Sequence, residues 1–519
     1  MKTSTDALVP VAKKRYKELQ SSRQTPLERA RQNSDLTIPG IVPAEGQDAN
    51  ASFSQPYQSL GARAVNNLAA WLLITQLPPD QQFFRLSIHE DTAEELGAGL
   101  SEIKTGLNRI SSKAQLHVET VAARPVLMEV YKQLIVAGNA LLYFPLEGRP
   151  RMYRLDQFVV LRDESGEMIE AVIEEKVYPS TLSEETRAAT AVVMEVDAQA
   201  EKLVELHTHI KRDAEDNIVH YQEINGLIVP DSEGTAPKDK AGWMALRWNA
   251  VPGSDYGRAH VTEYIGDLLS LEDLTKAIIQ FAAVASRIIH IVDPNSGLDV
   301  EELAKAESGD FLTGYADKIK ALQLDKSMDF SVVSEVSSRI ELRLSHAFML
   351  QSGTVRNAER VTAEEIRAMA QELENVLGGV YTVLSAELQL PMVRRLMYIL
   401  QRNGDAPELP KDVTPTIVTG FEALGRNHTA NKLRAFIADM KSAFGEGALS
   451  KVMDMNEVGL RLADNHGIED VDKLLKSPDR QAEEDQQAAT TQAAMGAAPQ
   501  LAKGMMDGMN APEPEAPPQ

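Results

Sequence analysis

At 519 residues, with 43% apolar and 25% charged side chains, the chain is long enough for several domains and has the composition of packed cores. It contains no cysteine, which excludes disulfides, thiolate zinc sites and cysteine nucleophiles. Acids outnumber bases 76 to 53, giving a net charge of −23, so it lacks the basic balance of a module that grips nucleic acid through its phosphates.

The first residues are polar and lead into Lys13-Lys-Arg-Tyr-Lys17 with no apolar core behind them, so no secretory signal is expected. About the first 130 residues read as helical. A basic amphipathic segment ends across Leu27 to Arg31, and Thr37-Ile-Pro-Gly40 through Pro43 is a turn-rich connector. Ala62 to Leu77 is apolar on most sides, carries Trp71 and stops at Pro78-Pro79. Val121 to Val136 forms a further helix, with Gly138-Asn139 at its C-cap.

Residues from about 140 to 250 read as β-rich. Phe158 to Leu161 and Met168 to Ile173 flank Asp163-Glu-Ser-Gly166, a hairpin signal. Leu203 to Ile210 and Ile218 to Ile224 flank a second turn at Asp213 to Asn217, and Leu227 to Val229 adds a short strand. His207 and His209 fall on one strand face, with His220 across the hairpin. A zinc site needs a further ligand that the sequence does not place, so the pattern reads as a polar sheet face and no metal is expected.

From Val261 to about Ser286 the spacing predicts a long helix, apolar over so much of its surface that it must be packed on two sides. Its apolar run to Val292 is broken by Gln280, Ser286, Arg287 and His290, so membrane insertion is not expected. Asp293 to Gly297 ends it. Residues 289–333 form a small mixed insert, and Ser334 to Leu350 a second helix, where Arg339, Glu341 and Arg343 read as pairs between subunits. Gln351 to Arg360 is a polar loop. Thr362 with Glu365 forms a capping box, and Val361 with Ile366 a hydrophobic staple, opening a helix that carries apolar residues from Ile366 to Leu388. Gly378-Gly379 lies inside that helix, where each glycine costs about 1 kcal/mol relative to alanine, so a bend is predicted there. Pro391 ends or kinks it again. Thr416 to Thr419 reads as a strand and Thr429 to about Leu475 as helical. Beyond Ser477 the composition of Ala, Gln, Met, Pro and Glu predicts a flexible tail.

No phosphate-cradling Gly-x-x-x-x-Gly-Lys-Ser/Thr loop occurs, nor a Gly-x-Ser-x-Gly or His-Glu-x-x-His motif, so no enzymatic activity and no cofactor are expected. The segment Glu359 to Pro391 resembles the portal, or head-to-tail connector, proteins of short-tailed bacteriophages of the autographivirus kind. So do Gly61 to Ala69, Leu134 to Tyr143, Tyr256-Gly-Arg, Gly266 to Leu274 and Gly309 to Gly314, in the order of that family, and the similarity runs to about residue 470. The resemblance implies a mixed α/β, helix-dominated portal fold with a β-rich wing and a long kinked helix. It divides the chain into wing (1–258), stem helix (259–288), clip (289–333), returning stem helix (334–350), tunnel loop (351–361), kinked wing helix and connector (362–425), crown (426–476) and tail (477–519).

The same resemblance implies a ring of twelve subunits at one capsid vertex of the virion, assembled in the host cytoplasm. Double-stranded DNA would pass through it without sequence specificity during packaging and ejection. Implied partners are a separate terminase that hydrolyses ATP, major capsid and scaffolding proteins, tail adaptor proteins and internal core proteins. A mostly acidic lining suits a conduit that must not hold its cargo. Gln351, Thr354, Arg356, Asn357 and Arg360 are the DNA-facing candidates. Arg356 and Arg360 either touch passing phosphates, which carries no sequence information, or pair with Glu359 or neighbouring subunits. Gly378, Gly379 and Pro391 are the bend candidates. A scaffolding or lattice protein is the alternative reading and a packaging ATPase the more remote one; the β-rich stretch argues against the first and the missing phosphate loop against the second.

Overall fold

The first long helix shows how the core is organised. Within α1 (Ala12–Asp35), Ala12, Tyr16, Arg23, Leu27 and Ala30 are buried at three-, four- and seven-residue spacing, and the helix passes through Pro26 without breaking. A computed structural model describes residues 10–47, 51–78, 83–87, 100–190, 203–285, 289–293, 299–305, 319–322, 327–350, 371–373, 375–377, 379–405, 416–419 and 426–445, with a few isolated positions. The loop 351–360, the capping box at Thr362, Gly378 and the tail beyond Ser477 lie outside the described residues. Two compact units divide the chain, Met1–Leu424 and Gly425–Gln519.

In the first unit, α2 (Leu60–Gln76), α3 (Leu100–Thr120) and α4 (Ala123–Ala137) follow α1, and the short strand β1 (Phe84–Ser87) lies between α2 and α3. The helical reading of this region missed β1, whose partner is distant in sequence. Helix α4 ends as predicted: Gly138 takes φ +75° and its N–H donates to Leu134 O at 3.0 Å. A Cβ at Gly138 would meet Ala259 N at 2.6 Å, because the Tyr256-Gly-Arg segment lies directly against it. Asn139 locks the contact, accepting the Gly257 N–H at 2.7 Å and donating to Gly257 O at 3.0 Å.

Strand β2 (Asn139–Tyr143) sits between β3 (Arg151–Tyr153) and β10 (Trp243–Arg247) in a three-stranded antiparallel sheet. A larger antiparallel sheet runs β4 (Phe158–Arg162), β5 (Met168–Val177), β6 (Val204–Arg212), β7 (Asn217–Ile224), β8 (Leu227–Ile228), with β9 (Gly234–Pro237) also on β7; the short helix α5 (Glu184–Thr190) joins β5 to β6. Both predicted hairpin turns are present, closed by Asp163 N–H to Glu167 O and Asp213 N–H to Asn217 O, each 2.9 Å. One face of this sheet carries Phe158, Val160, Ala171, Ile173 and Ile210 into the main core. The other carries Val159, Val172 and Tyr221 against Ala12 and Tyr16 of α1.

Helices α6 (His260–Glu263) and α7 (Ile265–Ala285) replace the single predicted helix, with a break at Tyr264. The insert holds the antiparallel pair β11 (Ile289–Val292) and β12 (Ile319–Leu322), with α8 (Val300–Lys305) between them. Helix α9 (Ser327–Ala347) starts earlier than expected. Helix α10 (Val380–Arg402) follows the bend, and β13 (Thr416–Thr419) pairs antiparallel with β1. In the second unit the described helix is α11 (Arg426–Phe444). The architecture is mixed α/β and helix-dominated. No single helix among the described residues is long and apolar enough to cross a membrane.

Candidate functional site

The candidate region is the α7–α9 pair, the exit of α9 and the bend before α10. Helix α7 turns Leu268 and Leu271 into the core, and α9 turns Ile340 and Leu344 the same way. Other apolar side chains of the same two helices stay open: Leu269, Ile279, Val332, Val336 and Leu342 are between 43% and 60% exposed. Arg343 donates to Asp267 through Nη2 at 2.7 Å and Nε at 3.2 Å, tying the two helices, and Arg339 pairs with Glu335 one turn away at 2.5 Å. Within the chain, Arg339 thus meets a carboxylate at i−4 on its own helix and Arg343 one across the helix pair, and both side chains remain largely exposed. The stretch before α2 is fastened to α7, since Glu272 accepts the N–H groups of Tyr57 and Gln58.

Helix α9 ends in a Schellman motif. Leu350 N–H donates to Ser345 O at 2.8 Å and Met349 N–H to His346 O at 3.1 Å. Such motifs favour glycine in the left-handed position, yet Met349 occupies it with φ +57°, at a cost on the order of 1 kcal/mol. Its side chain is 2% exposed in the core, and that burial offsets the backbone cost. His260, in the first turn of α6, reaches Ala347 O at 3.1 Å through Nε2. Its imidazole lies between the aromatic groups of Trp248, Tyr264 and Phe348. Burial pushes its pKa down to about 4, so it is neutral at pH 7. Asn67 of α2 donates through Nδ2 to both Phe348 O and Met349 O at 3.1 Å.

The helical segment Gln371–Leu377 meets α10 at 109°, and Gly379 at the junction has φ +94°, a conformation that favours glycine. Pro391 does not end the helix. A π turn, Ser385–Gln389, precedes it and continues without interruption into Leu390–Arg402, which absorbs the hydrogen bond that proline cannot donate. The π turn also directs Glu387 to Arg247, which donates through Nη2 at 2.6 Å and through its backbone N–H at 3.0 Å. Gln351, Thr354, Arg356, Asn357 and Arg360 lie outside the described residues, and the structure describes the chain only up to Leu350 before the predicted loop.

The histidine pattern resolves into packing. Register sets His209 opposite Tyr221 and Ile210 opposite His220, so His220 lies on the reverse face from His207 and His209, packed on Trp243. His209 sits 2.7 Å from Glu170 Oε1 and 3.0 Å from the Tyr221 hydroxyl. Burial alone would raise the pKa of Glu170, but hydrogen bonds from His209 and Arg15 overcome it and hold it at about 2. Among the described residues no cluster of three or more His, Asp or Glu could hold a metal ion. Sequence reasoning missed Asn67 and His260. Asn67 lies inside the Gly61 to Ala69 block, but nothing local signals that its amide serves the end of another helix.

The sequence matches the family described as bacteriophage head to tail connecting protein over residues 10–471. It is 38% identical to the portal protein of Escherichia phage T7 over 509 residues, covering 95% of this chain and 93% of that protein. The portal protein of Enterobacteria phage T3 is 38% identical over 489 residues, with 92% and 91% covered. The portal protein of Enterobacteria phage SP6 is 32% identical over 429 residues, covering 82% of each.

Proposed function

The chain belongs to the family of bacteriophage head to tail connecting proteins, and from that membership we propose that it is the portal subunit of a short-tailed phage. Copies close into a ring at one vertex of the capsid, through which the genome is packaged and later ejected and which joins head to tail. The role is structural, not catalytic. Its partners are further copies of itself, the capsid and the tail. Double-stranded DNA occupies the bore, and a separate terminase supplies the ATP hydrolysis for which this sequence has no phosphate loop.

The observation that carries the ring is the set of exposed apolar side chains along α7 and α9. Cyclic closure covers such side chains on every subunit and leaves no free end. On this reading residues 1–258 form the wing, 259–288 and 334–350 the two stem helices, 289–333 the clip, 351–361 the tunnel loop, 362–425 the bent wing helix and connector, and 426–476 the crown. Gln351, Thr354, Arg356, Asn357 and Arg360 face the DNA, and the bend at Gly379 redirects the chain beyond the loop. Negative-stain images of the purified protein test the assembly: rings with a central hole are expected, and single globules under capsid-building conditions would overturn it. Replacing Arg356 and Arg360 by alanine tests the loop. Rings should form normally while particles lose DNA; full infectious titre from the double variant would remove the loop from the channel.

A further inference from the structure

The end of α9 is held by more than its own helix. A Schellman motif satisfies the carbonyls of Ser345 and His346, and leaves those of Ala347, Phe348 and Met349 to find other donors. All three are met from distant parts of the chain: Ala347 O by His260, Phe348 O and Met349 O by Asn67. A carboxamide is the neutral side chain that presents two N–H bonds from one nitrogen, and here both are aimed at consecutive carbonyls. Asn67 stands on α2, whose residues Leu68 and Leu72 are fully buried, so its position is set by the core. His260 is fixed by the aromatic groups around it, with centroids at 5.4 Å for Trp248, 5.1 Å for Tyr264 and 4.8 Å for Phe348. Met349 in the left-handed region is held by these donors together with its buried side chain, because a non-glycine residue there persists only where its surroundings hold it.

We propose that Asn67 and His260 are positioning residues that fix the direction in which the chain leaves α9. The proposal rests on the reading of residues 351–360 as the channel loop, because its functional consequence is the placement of that loop in the assembled ring. Asn67 is the main test position, since it reaches two consecutive carbonyls at the end of the helix, Phe348 O and Met349 O.

The test uses full-length rings and particles carrying Asn67→Ala, Asn67→Ser or the double change Arg356→Ala with Arg360→Ala. Two quantities are read: hydrogen exchange at the Met349 and Leu350 amides together with tryptic cleavage after Arg356, and DNA retention by the particles. Loss of both Asn67 bonds should speed exchange and cleavage roughly tenfold in rings of unchanged size, with DNA retention reduced. Unchanged exchange and cleavage in Asn67→Ala would overturn the proposal, whatever the arginine variant does. Faster exchange with full DNA retention in both the Asn67 and arginine variants would keep the positioning role and remove the channel reading of the loop. Should Asn67→Ala fail to assemble, Asn67→Ser, which retains one shorter donor, decides: intermediate exchange supports the proposal and wild-type exchange refutes it.

Discussion

The sheet beneath α1 and the α7–α9 pair follow the same packing rules and end in opposite states. Under α1, the Arg23 guanidinium and the Glu170 carboxylate are buried and find partners inside the chain through most of their polar atoms. Arg23 donates through Nη1 to the carbonyls of Leu155, Asp156 and Phe158, while Glu170 is met by Arg15 and His209. Even the first amides of the helix are used, Ala12 N–H donating to Glu223 at 2.7 Å. On the helix pair Arg343 and Asp267 are likewise paired, but five large apolar side chains face solvent. Single exposed apolar residues are ordinary; five along one helix pair mark a surface meant to be covered. The first region is packed within the chain, and the second is, on the proposed ring reading, one side of an interface.

The largest test of this contrast is Arg23→Met. Three carbonyls lose a shared donor at a site 3% exposed, so the denaturant midpoint of the first unit should fall by the equivalent of about 3 kcal/mol at constant slope. A loss too small to measure would break the account of a region sealed by its own polar network. Proton linkage gives the next effect. His260 titrates near 4 when folded and near 6.5 when free, so between these values the unfolded chain binds the proton that the folded chain refuses. Stability is full above pH 6.5 and declines toward pH 4, by on the order of 3 kcal/mol. Thermal melts across that range should show it, and His260→Gln, which keeps a donor toward Ala347, should flatten it.

Glu170 works in a lower window. Its folded pKa of about 2 lies below the free value of 4.5, so its contribution is complete above pH 4.5 and is lost as pH falls toward 2. Glu170→Gln should remove that lower limb and leave the His260 limb in place; melts in which both limbs vanish would show that the two sites are not independent. The smallest stability effect belongs to the exposed apolar side chains of α7 and α9. Leu269→Ser with Val336→Ser should shift subunit stability by no more than about 0.5 kcal/mol, yet lower the yield of rings seen by native mass spectrometry. Normal rings from that pair would place the subunit interface elsewhere.

What could be read from the sequence was local. The Gly138 cap and the turns at Asp163 and Asp213 rest on residues a few positions apart, and the structure has each where turn chemistry puts it. What could not be read depends on partners far along the chain. Asn67 answers carbonyls at Phe348 and Met349, and β1 waits for β13. Two local signals also misled. Met349 fills a position for which glycine is the usual cue, and Pro391 sits inside a continuing helix because a π turn prepares its place. The face of His220 followed from register, which alternation alone leaves undetermined until the turn is known. The arginines of the loop lie outside the described residues, so their role rests on the family.

The pairing of β1 with β13 has a consequence for how the molecule is made. Phe84 pairs with Thr419, so the strand that follows Phe83 leaves the ribosome long before its complement exists. At about 5–20 residues per second the wait is roughly 15–70 s. During it the hydrogen-bonding edge of the strand has no complement, and an unpaired strand edge is a template for aggregation. Translation speed and chaperone supply, more than the stability of the finished subunit, should therefore govern how much of this protein an infected cell recovers in usable form.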